Sequence, residues 1–356
     1  MKIQFIGEQK LVMTNTENHH RYFAWPTITR LQNGSICVGA SGYRVEHICP
    51  FGKGVLAFSE DNGETYSKPV PVFDTVLDDR DVGLCPFGES GLIATSFNNT
   101  TEFQRENMPQ TQECIDYINS VSAEDEERDL GINYRISHDY GKTFGPVLKS
   151  PISSPHGPTV LNDGTVLWVG RRLGIHNHMY AYTIDTNTGE MALRGELGIY
   201  KYEEFNNIYF YEPNAMQLPD GKILCHLRAE NADETLFTLY QTESTDNGVT
   251  WSKPHQIISD DSGAPAHILR HSSGTLITTY SHRKRPYGIW ASFSYDNGET
   301  WCDESILHHA YETDDLGYPS TIELDNGELI TAFYTRKSDD DCDPAMIMQQ
   351  KWKFEK

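Results

Sequence analysis

Two residues of this sequence combine a side chain capable of chemistry with an unusual backbone setting. Tyr318 lies between a glycine and a proline, and an alternating, β-branched run follows it over residues 320–334. Such a run predicts a strand that is entered from a tight corner. Glu212 holds a comparable place, directly before Pro213. A phenol, whose pKa is about 10, needs a base to become a nucleophile, and a carboxylate is a suitable base.

Both residues belong to a pattern of strand, glycine-containing turn and second strand that recurs along the chain. Its copies begin at Trp25, Asp81, Gly157, Glu212, Ala264 and Tyr318. From Pro158 to Pro319, successive copies are 55, 52 and 54 residues apart, which leaves room for four short strands. Six such units without intervening helices predict an all-β fold, a six-bladed β-propeller of four-stranded antiparallel blades. A β-sandwich is the alternative, but it gives no reason for a register repeated six times.

A shorter motif, S-x-D-x-G-x-T-aromatic, occurs four times. Its copies are residues 59–66, 137–144, 244–251 and 294–301. Aspartate and glycine favour a tight hairpin turn with positive φ, and serine and threonine can tie the loop internally. We expect the aromatic residue to pack between layers of the fold.

The main interruption of the repeats is the polar, acidic stretch 98–134, which is partly helical in pattern. It predicts an insertion within blade two, either a solvated decoration or a wall over the mouth of the propeller. The N-terminal segment KIQFIG and the C-terminal segment AMIMQQKWKF are expected to share one blade, so that the chain ends close the ring.

The first strand of each blade in a propeller lines the central axis, so the six starting positions should face one another at one rim. Arg80, His156 and Tyr211 each precede such a position by one residue. A carboxylate, a phenol, an imidazole and an aromatic ring together are typical of a sugar-binding pocket.

The four S-x-D-x-G-x-T motifs resemble the Asp-boxes (BNR repeats) of the sialidase (neuraminidase) superfamily, and the similarity covers essentially the whole chain. The segment from Glu212 to Arg228 resembles the sialidase segment with a glutamate and an arginine of the carboxylate-binding triad. The segment GYPSTIEL resembles the one that supplies the tyrosine nucleophile. A neutral phenol suits an anomeric carbon that carries a carboxylate, because it avoids repulsion between like charges.

The resemblance implies a retaining exo-glycoside hydrolase that removes a terminal acidic sugar, sialic acid or a related ulosonic acid, with residues 1–356 as one catalytic domain. Tyr318 is then the nucleophile, Glu212 its base and Arg228 a substrate ligand. Another triad arginine should come from Arg283 or Arg285, and the spacing does not decide between them.

The resemblance fails in the first blade. Where sialidases have Arg-Ile-Pro, this chain has Ala24 and Trp25 before the proline. Losing one charge-assisted donor costs about 1.5–3 kcal/mol unless another group compensates. Trp25 is expected to stack on a sugar face instead.

The acid/base aspartate of sialidases should lie in the loop 41–54, which contains Arg44, Glu46 and His47 but no aspartate. Glu46, His47 or Asp81 of the next blade could take that role, and Arg44 is a further candidate substrate ligand. Two alternatives remain on the same fold: a hydrolase or lyase acting on a uronic acid or deoxy sugar, and a non-catalytic glycan-binding propeller.

The net charge of −22 at pH 7 disfavours nucleic acid and anionic membranes as partners. The resemblance implies a glycan or glycoconjugate with a terminal acidic sugar as the partner. Seven scattered cysteines without a CxxC pair indicate reduced thiols. No cofactor or metal is expected, and Asp314, Asp315 and the run 338–343 are interpreted as solvated loop charges. Without an apolar N-terminal segment, a complete chain is expected in the cytoplasm. The oligomeric state stays open.

Overall fold

Antiparallel strands build nearly all of the regular structure. The computed structural model describes residues 1–233, 235–258, 265–310, 312–338 and 343–355. Ala264, predicted to begin a repeat, and residues 339–342 of the acidic run lie outside the described residues. Within them, the strands pair into six sheets, five formed by consecutive strands and one formed by strands from both ends of the chain. The predicted six-bladed β-propeller is confirmed.

The blades follow chain order, and in each the first strand is innermost. Blade one contains β3 (Tyr22–Arg30), β4 (Ile36–Arg44), β5 (Lys53–Ser59) and β6 (Val70–Phe73). Blade two contains β7 (Arg80–Phe87), β8 (Gly91–Phe97), β9 (Ile132–Ser137) and β10 (Leu148–Ser150). Blade three contains β11 (Thr159–Val160), β12 (Val166–Arg171), β13 (Met179–Ile184) and β14 (Met191–Glu196).

The next two blades repeat this order. Blade four contains β15 (Tyr209–Gln217), β16 (Ile223–Glu230), β17 (Phe237–Ser244) and β18 (His255–Gln256). Blade five contains β19 (Ala266–Arg270), β20 (Leu276–His282), β21 (Gly288–Ser294) and β22 (Cys302–His309). Two short 3-10 helices, Ile199–Lys201 and Glu203–Phe205, connect blades three and four.

Blade six joins the two ends of the chain. It contains β23 (Gly317–Glu323), β24 (Leu329–Thr335) and β25 (Met346–Glu355). The N-terminal strands β1 (Lys2–Phe5) and β2 (Lys10–Met13) both pair with β25. The predicted closure of the ring by the chain ends is therefore confirmed.

The six first strands surround the axis. Each of them contacts the first strand of the neighbouring blade, all the way round the ring. A cavity of about 300 Å³ lies between them and is lined from every blade. Its lining includes Thr27, Leu84, Thr159, Asn214, His267 and Thr321. Equivalent positions of the repeat therefore converge on one axis.

The Asp-boxes are hairpin turns that link neighbouring blades. In the third box, Ser244 Oγ donates to Asp246 Oδ1 (2.8 Å) and accepts from the Gly248 N–H (2.9 Å). The serine accepts the same bond from the box glycine at 2.9 Å in all four copies. In the fourth box, Trp301 Nε1 donates to Gln241 Oε1 of blade four (3.0 Å). The predicted packing of the aromatic residue between layers is thus a contact between blades.

The insertion in blade two forms three helices between β8 and β9. They are α1 (Thr101–Asn107), α2 (Gln112–Ser120) and α3 (Ala123–Asp129), each with a serine or threonine that caps its N-terminus. The buried Cys114 and Ile118 of α2 pack with Phe51 of the β4–β5 loop. The insertion is therefore a wall against blade one and not a solvated decoration.

Six cysteines are free among the residues that the structure describes, and Cys342 lies outside them. No helix in the described part of the chain combines the length and apolar character needed to cross a membrane.

We predict that Ser244→Ala lowers the free energy of unfolding by about 1–3 kcal/mol, because it leaves the buried Gly248 N–H without an acceptor. Urea denaturation of both proteins measures the difference. Ser272→Ala, at an exposed serine of another blade, is the control and should leave stability unchanged. Equal stability of the two variants would contradict this role of the box serine.

Candidate active site

The five repeat-starting residues that the structure describes share a left-handed backbone. Their φ angles are 55° at Trp25, 51° at Asp81, 79° at Gly157, 51° at Glu212 and 50° at Tyr318. Such angles are uncommon outside glycine. In β3, β7, β15 and β23 the pairing register also shifts at this point, which marks a β-bulge. A bulge interrupts the regular alternation of side chains along a strand and changes the direction of the side chain at that point. Here it turns these side chains toward one another.

Tyr318 of blade six and Glu212 of blade four meet at the axis. The Tyr318 hydroxyl donates a 2.5 Å hydrogen bond to Glu212 Oε1. Arg228 Nη1 donates to the other oxygen of Glu212 at 3.0 Å, and its Nη2 donates to Glu230 at 2.7 Å. Tyr318 is only 6% exposed. The predicted pair and the predicted arginine therefore form one connected, largely buried network.

The charges in this network are set by opposing effects. Burial raises the pKa of Glu212, but the Arg228 guanidinium and the hydrogen bond from Tyr318 lower it more, so the net shift is downward. Burial and the negative charge of Glu212 raise the pKa of Tyr318 well above its usual value. The resting pair is thus a neutral phenol that donates to a carboxylate anion.

Asp81 is a second carboxyl group beside this pair. It is 8% exposed, and its Oδ1 has no hydrogen-bond partner among the described residues. Burial raises the pKa of Asp81 to about 7, against the opposing charge of Arg80 and with a contribution from Glu212. This carboxyl group can therefore hold or release a proton near neutral pH.

The two candidate arginines of blade five, Arg283 and Arg285, have different surroundings. Arg283 donates to the Leu316 carbonyl (3.0 and 3.1 Å) and to the Tyr334 hydroxyl (3.1 Å). Its guanidinium lies 5.8 Å from the centre of the Tyr318 ring. Arg285 is exposed, and its guanidinium lies 5.3 Å from the Tyr287 ring. Arg283 therefore faces the pair, and Arg285 does not.

Two residues of blade one are more deeply buried than predicted. Arg44 is fully buried in an ion pair with Asp78, and its Nη2 also donates to the His47 carbonyl. Trp25 is 1% exposed, and the Arg80 guanidinium lies 3.9 Å from its ring centre. Arg44 is therefore a structural cation and not a substrate ligand. The prediction that Trp25 stacks on a sugar is wrong as well, because its ring has no open face.

Glu46 and His47 belong to a separate polar cluster around Asp315. Glu46 pairs with Arg336 at 3.4 Å, and His47 Nδ1 lies 3.0 Å from the Tyr22 hydroxyl. Asp315 accepts hydrogen bonds from Tyr22 (2.9 Å), Tyr334 (3.0 Å) and Arg336 (3.2 Å). Asp315 is thus not the solvated loop charge that the sequence suggested, since it joins blades one and six.

His156 lies inside the axial cavity and not on an open rim. It is 3% exposed, and its Nδ1 lies 3.1 Å from Thr27 Oγ1. Burial holds the pKa of His156 well below its usual value. The predicted role of His156 in a rim pocket is therefore not supported.

A cavity of about 600 Å³ opens beside the Tyr318–Glu212 pair. Arg228 and Arg283 form part of its wall. The rest of the lining is Tyr209, Tyr211, Glu230, Asn231, Ala232, Leu236, Phe237, Lys284 and Asp314. Its volume and its mixture of aromatic and charged residues suit a small polar ligand.

Arg171 is a residue of this region that the sequence analysis missed. Its guanidinium lies 5.0 Å from the Tyr211 ring, and its charge acts on the carboxyl groups of Glu212 and Asp81. Within the described residues its guanidinium has no hydrogen bond or ion pair. The repeat pattern could have identified it, because Arg171 follows the turn glycine Gly164 by seven residues, as Arg228 follows Gly221.

Comparison with solved structures identifies the fold. A protein of unknown function from Dyadobacter fermentans matches with 18% identity and a TM-score of 0.78 over 99% of each chain. NanB sialidase from Streptococcus pneumoniae matches with 14% identity and a TM-score of 0.71, over 97% of this chain and 70% of the other. An α-L-arabinofuranosidase from Fusarium graminearum matches with 12% identity and a TM-score of 0.61, over 96% of each chain. Identities this low show a shared fold alone.

Sequence comparison gives the family. No curated protein matches this chain. The family model of the BNR repeat-like domain matches residues 107–331, which is more than half of the 356 residues. In agreement with the resemblance carried by the four Asp-boxes, the chain belongs to the BNR repeat-like domain family.

Proposed function

We propose that this protein is a retaining exo-glycoside hydrolase of the sialidase type, acting on a terminal acidic sugar through Tyr318. The observation that carries the proposal is the buried 2.5 Å hydrogen bond from the Tyr318 hydroxyl to Glu212, whose second oxygen is held by Arg228. A phenol beside a carboxylate base is the activated nucleophile that this chemistry requires. The fold shared with a sialidase and an arabinofuranosidase supports a glycosidase.

In the first step, the Tyr318 oxygen attacks the anomeric carbon while Glu212 takes the phenolic proton. The bond between the anomeric carbon and the leaving-group oxygen breaks, and that oxygen receives the proton of Asp81. The products are a covalent glycosyl–tyrosine intermediate and the released alcohol. Asp81 suits this role because its carboxyl group is protonated below a pH of about 7.

In the second step, water attacks the anomeric carbon and gives its proton to the Asp81 carboxylate. The bond to the Tyr318 oxygen breaks, and the phenol recovers its proton from Glu212. Two displacements at the same carbon retain its configuration. Arg228 keeps Glu212 anionic between turnovers by holding its second oxygen.

Arg171 supports an acidic substrate. The first-blade arginine of sialidases is replaced by Ala24, and Arg228 already donates to two carboxylates. The Arg171 guanidinium has donors to spare and lies over Tyr211 in the wall of the cavity. We assign it to the substrate carboxylate, together with Arg283.

A second candidate is a hydrolase for a neutral or differently charged sugar, such as a deoxy sugar or a uronic acid. The absent arginine at Ala24 and the arabinofuranosidase among the solved structures of this fold favour it. In either case the expected partner is a glycan or glycoconjugate.

Tyr318→Phe and Glu212→Gln are both expected to abolish glycoside cleavage, with a loss of at least about 10²–10⁴-fold in kcat, since each removes one half of the nucleophile. The assay is a panel of aryl glycosides that includes sialic acid, its deaminated relatives, uronic acids and neutral sugars. Tyr200→Phe, at an exposed tyrosine away from the cavity, is the control.

Cleavage of a sialoside that both variants lose supports the proposal. Cleavage of neutral glycosides alone would overturn the acidic substrate and favour the second candidate. No cleavage of any member, with glycan binding retained, would make the protein a binding module.

The pH dependence of kcat/KM should reflect the protonation of the Asp81 carboxyl group. An acid catalyst must carry its proton, so kcat/KM is expected to fall as the pH rises through about 7. Asp81→Asn should remove this limb and leave a low, pH-independent rate with activated aryl leaving groups. Glu46→Gln and His47→Asn should keep it. Loss of the limb in one of these two variants instead would move the acid role away from Asp81.

Arg171→Met is expected to raise KM for an acidic glycoside by roughly 10- to 100-fold, with a smaller effect on kcat, because one charge-assisted hydrogen bond is lost. The neighbouring Arg172 is exposed, so Arg172→Met is the matched control. Kinetics on one acidic and one neutral glycoside test the assignment. Equal effects of the two variants, or an equal effect of Arg171→Met on both substrates, would contradict it.

A further inference from the structure

A cluster of metal-binding side chains lies where the insertion meets the N-terminal segment. His19 Nε2 is 2.8 Å from Glu113 Oε2, and His20 Nε2 is 3.0 Å from Glu113 Oε1. Each residue offers one ligand atom, and these atoms all lie within 4.8 Å of one another. Two imidazoles and a carboxylate are a ligand set that zinc favours.

The surroundings of His20 direct its Nε2 atom toward Glu113. The Nδ1 atom lies 3.1 Å from the Tyr43 carbonyl oxygen, which can only accept a hydrogen bond. Nδ1 therefore donates to this carbonyl, and Nε2, which lies 3.0 Å from Glu113 Oε1, is the atom available to a metal ion. A backbone carbonyl on the far nitrogen is also the usual support of a metal-ligating histidine.

The ligands are held before any ion arrives. Asn15 Nδ2 donates to the His20 carbonyl (2.9 Å), and the His20 N–H donates to Asn18 Oδ1 (2.9 Å). The His20 ring lies 4.7 Å from the Phe51 ring, and Glu113 stands in the first turn of α2. His19 and Glu113, whose side chains are 65% and 46% exposed, have room to move. That freedom allows the ligand atoms, which lie within 4.8 Å of one another, to adjust to the spacing of about 3.4 Å that zinc bonds of 2.0–2.1 Å require.

We propose that His19, His20 and Glu113 bind a divalent zinc ion with water in the fourth position. The ion links the segment before β3 to α2, and so fixes the insertion on the β4–β5 loop. The absence of a metal expected from the sequence is thereby revised. The sequence contains no metal-binding motif at this site, because Glu113 is separated from His20 by 93 residues. This proposal is independent of the catalytic one.

Calorimetric titration of the chelator-treated protein, prepared without a polyhistidine tag, tests the site with Zn²⁺. We expect one equivalent to bind to wild type, and binding to be at least about tenfold weaker in His20→Ala and in Glu113→Gln. His255→Ala is the matched control, since this exposed histidine lies 3.9 Å from Glu243 but belongs to no group of three possible metal ligands among the described residues. It should bind zinc as wild type does.

Thermal unfolding supplies a readout that does not depend on activity. Zinc should raise the Tm of wild type and of His255→Ala, but not that of Glu113→Gln, because only proteins that bind the ion when folded are stabilised by it. Wild type with Co²⁺ should show the absorption of a four-coordinate site. His20→Ala and Glu113→Gln should not show it. No zinc binding by wild type, or equal binding in all four proteins, would overturn the proposal and leave only hydrogen bonds among His19, His20 and Glu113.

Discussion

A left-handed residue near the start of the first strand in blades one, two, four and six is the constraint on which the site depends. A strand alternates its side chains between two faces, so a regular first strand would direct side chains along the blade surfaces. The positive φ at Trp25, Asp81, Glu212 and Tyr318, followed by a bulge, turns these side chains toward the axis instead. Residues far apart in the sequence, such as Glu212 and Tyr318, then come within 2.5 Å. Backbone strain of this kind is typical of functional sites, where the surrounding structure maintains it.

Local charge at the axis runs against the charge of the whole chain. The protein carries a net charge of −22, yet four guanidinium groups gather around two carboxyl groups and a phenol. They belong to Arg80, Arg171, Arg228 and Arg283. In this buried site Arg228 and Arg171 lower the pKa of Glu212 in spite of desolvation, whereas burial raises the pKa of Asp81 to about 7 against the charges of Arg80, Arg44 and Arg171. In the proposed mechanism, this difference makes Glu212 the base and Asp81 the acid.

Repetition is what made the fold and the central pair predictable. Six copies of one strand pattern define equivalent positions, and equivalence in a ring implies proximity, so Glu212 and Tyr318 could be paired without knowing any contact. The repeat pattern does not show which side chains are buried or which partners they have. Arg44 and Arg171 look alike in the sequence, but Asp78 happens to lie beside Arg44 and neutralises it, whereas Arg171 faces the axis. Asp315 was misjudged for the same reason, since its partners come from other strands.

The first blade, in which Ala24 and Trp25 stand where sialidases have Arg-Ile, is closely packed around the Trp25 ring. Ala24 and Trp25 are both buried, and the Arg80 guanidinium lies 3.9 Å from the centre of the Trp25 ring. That stack in turn fixes the loop 45–51, because Arg80 and Arg44 both donate to the His47 carbonyl. The α2 helix packs on the same loop through Phe51. The first blade therefore contributes a cation, Arg44, that is buried and paired with Asp78, whereas the Arg171 guanidinium of blade three has no hydrogen bond or ion pair among the described residues.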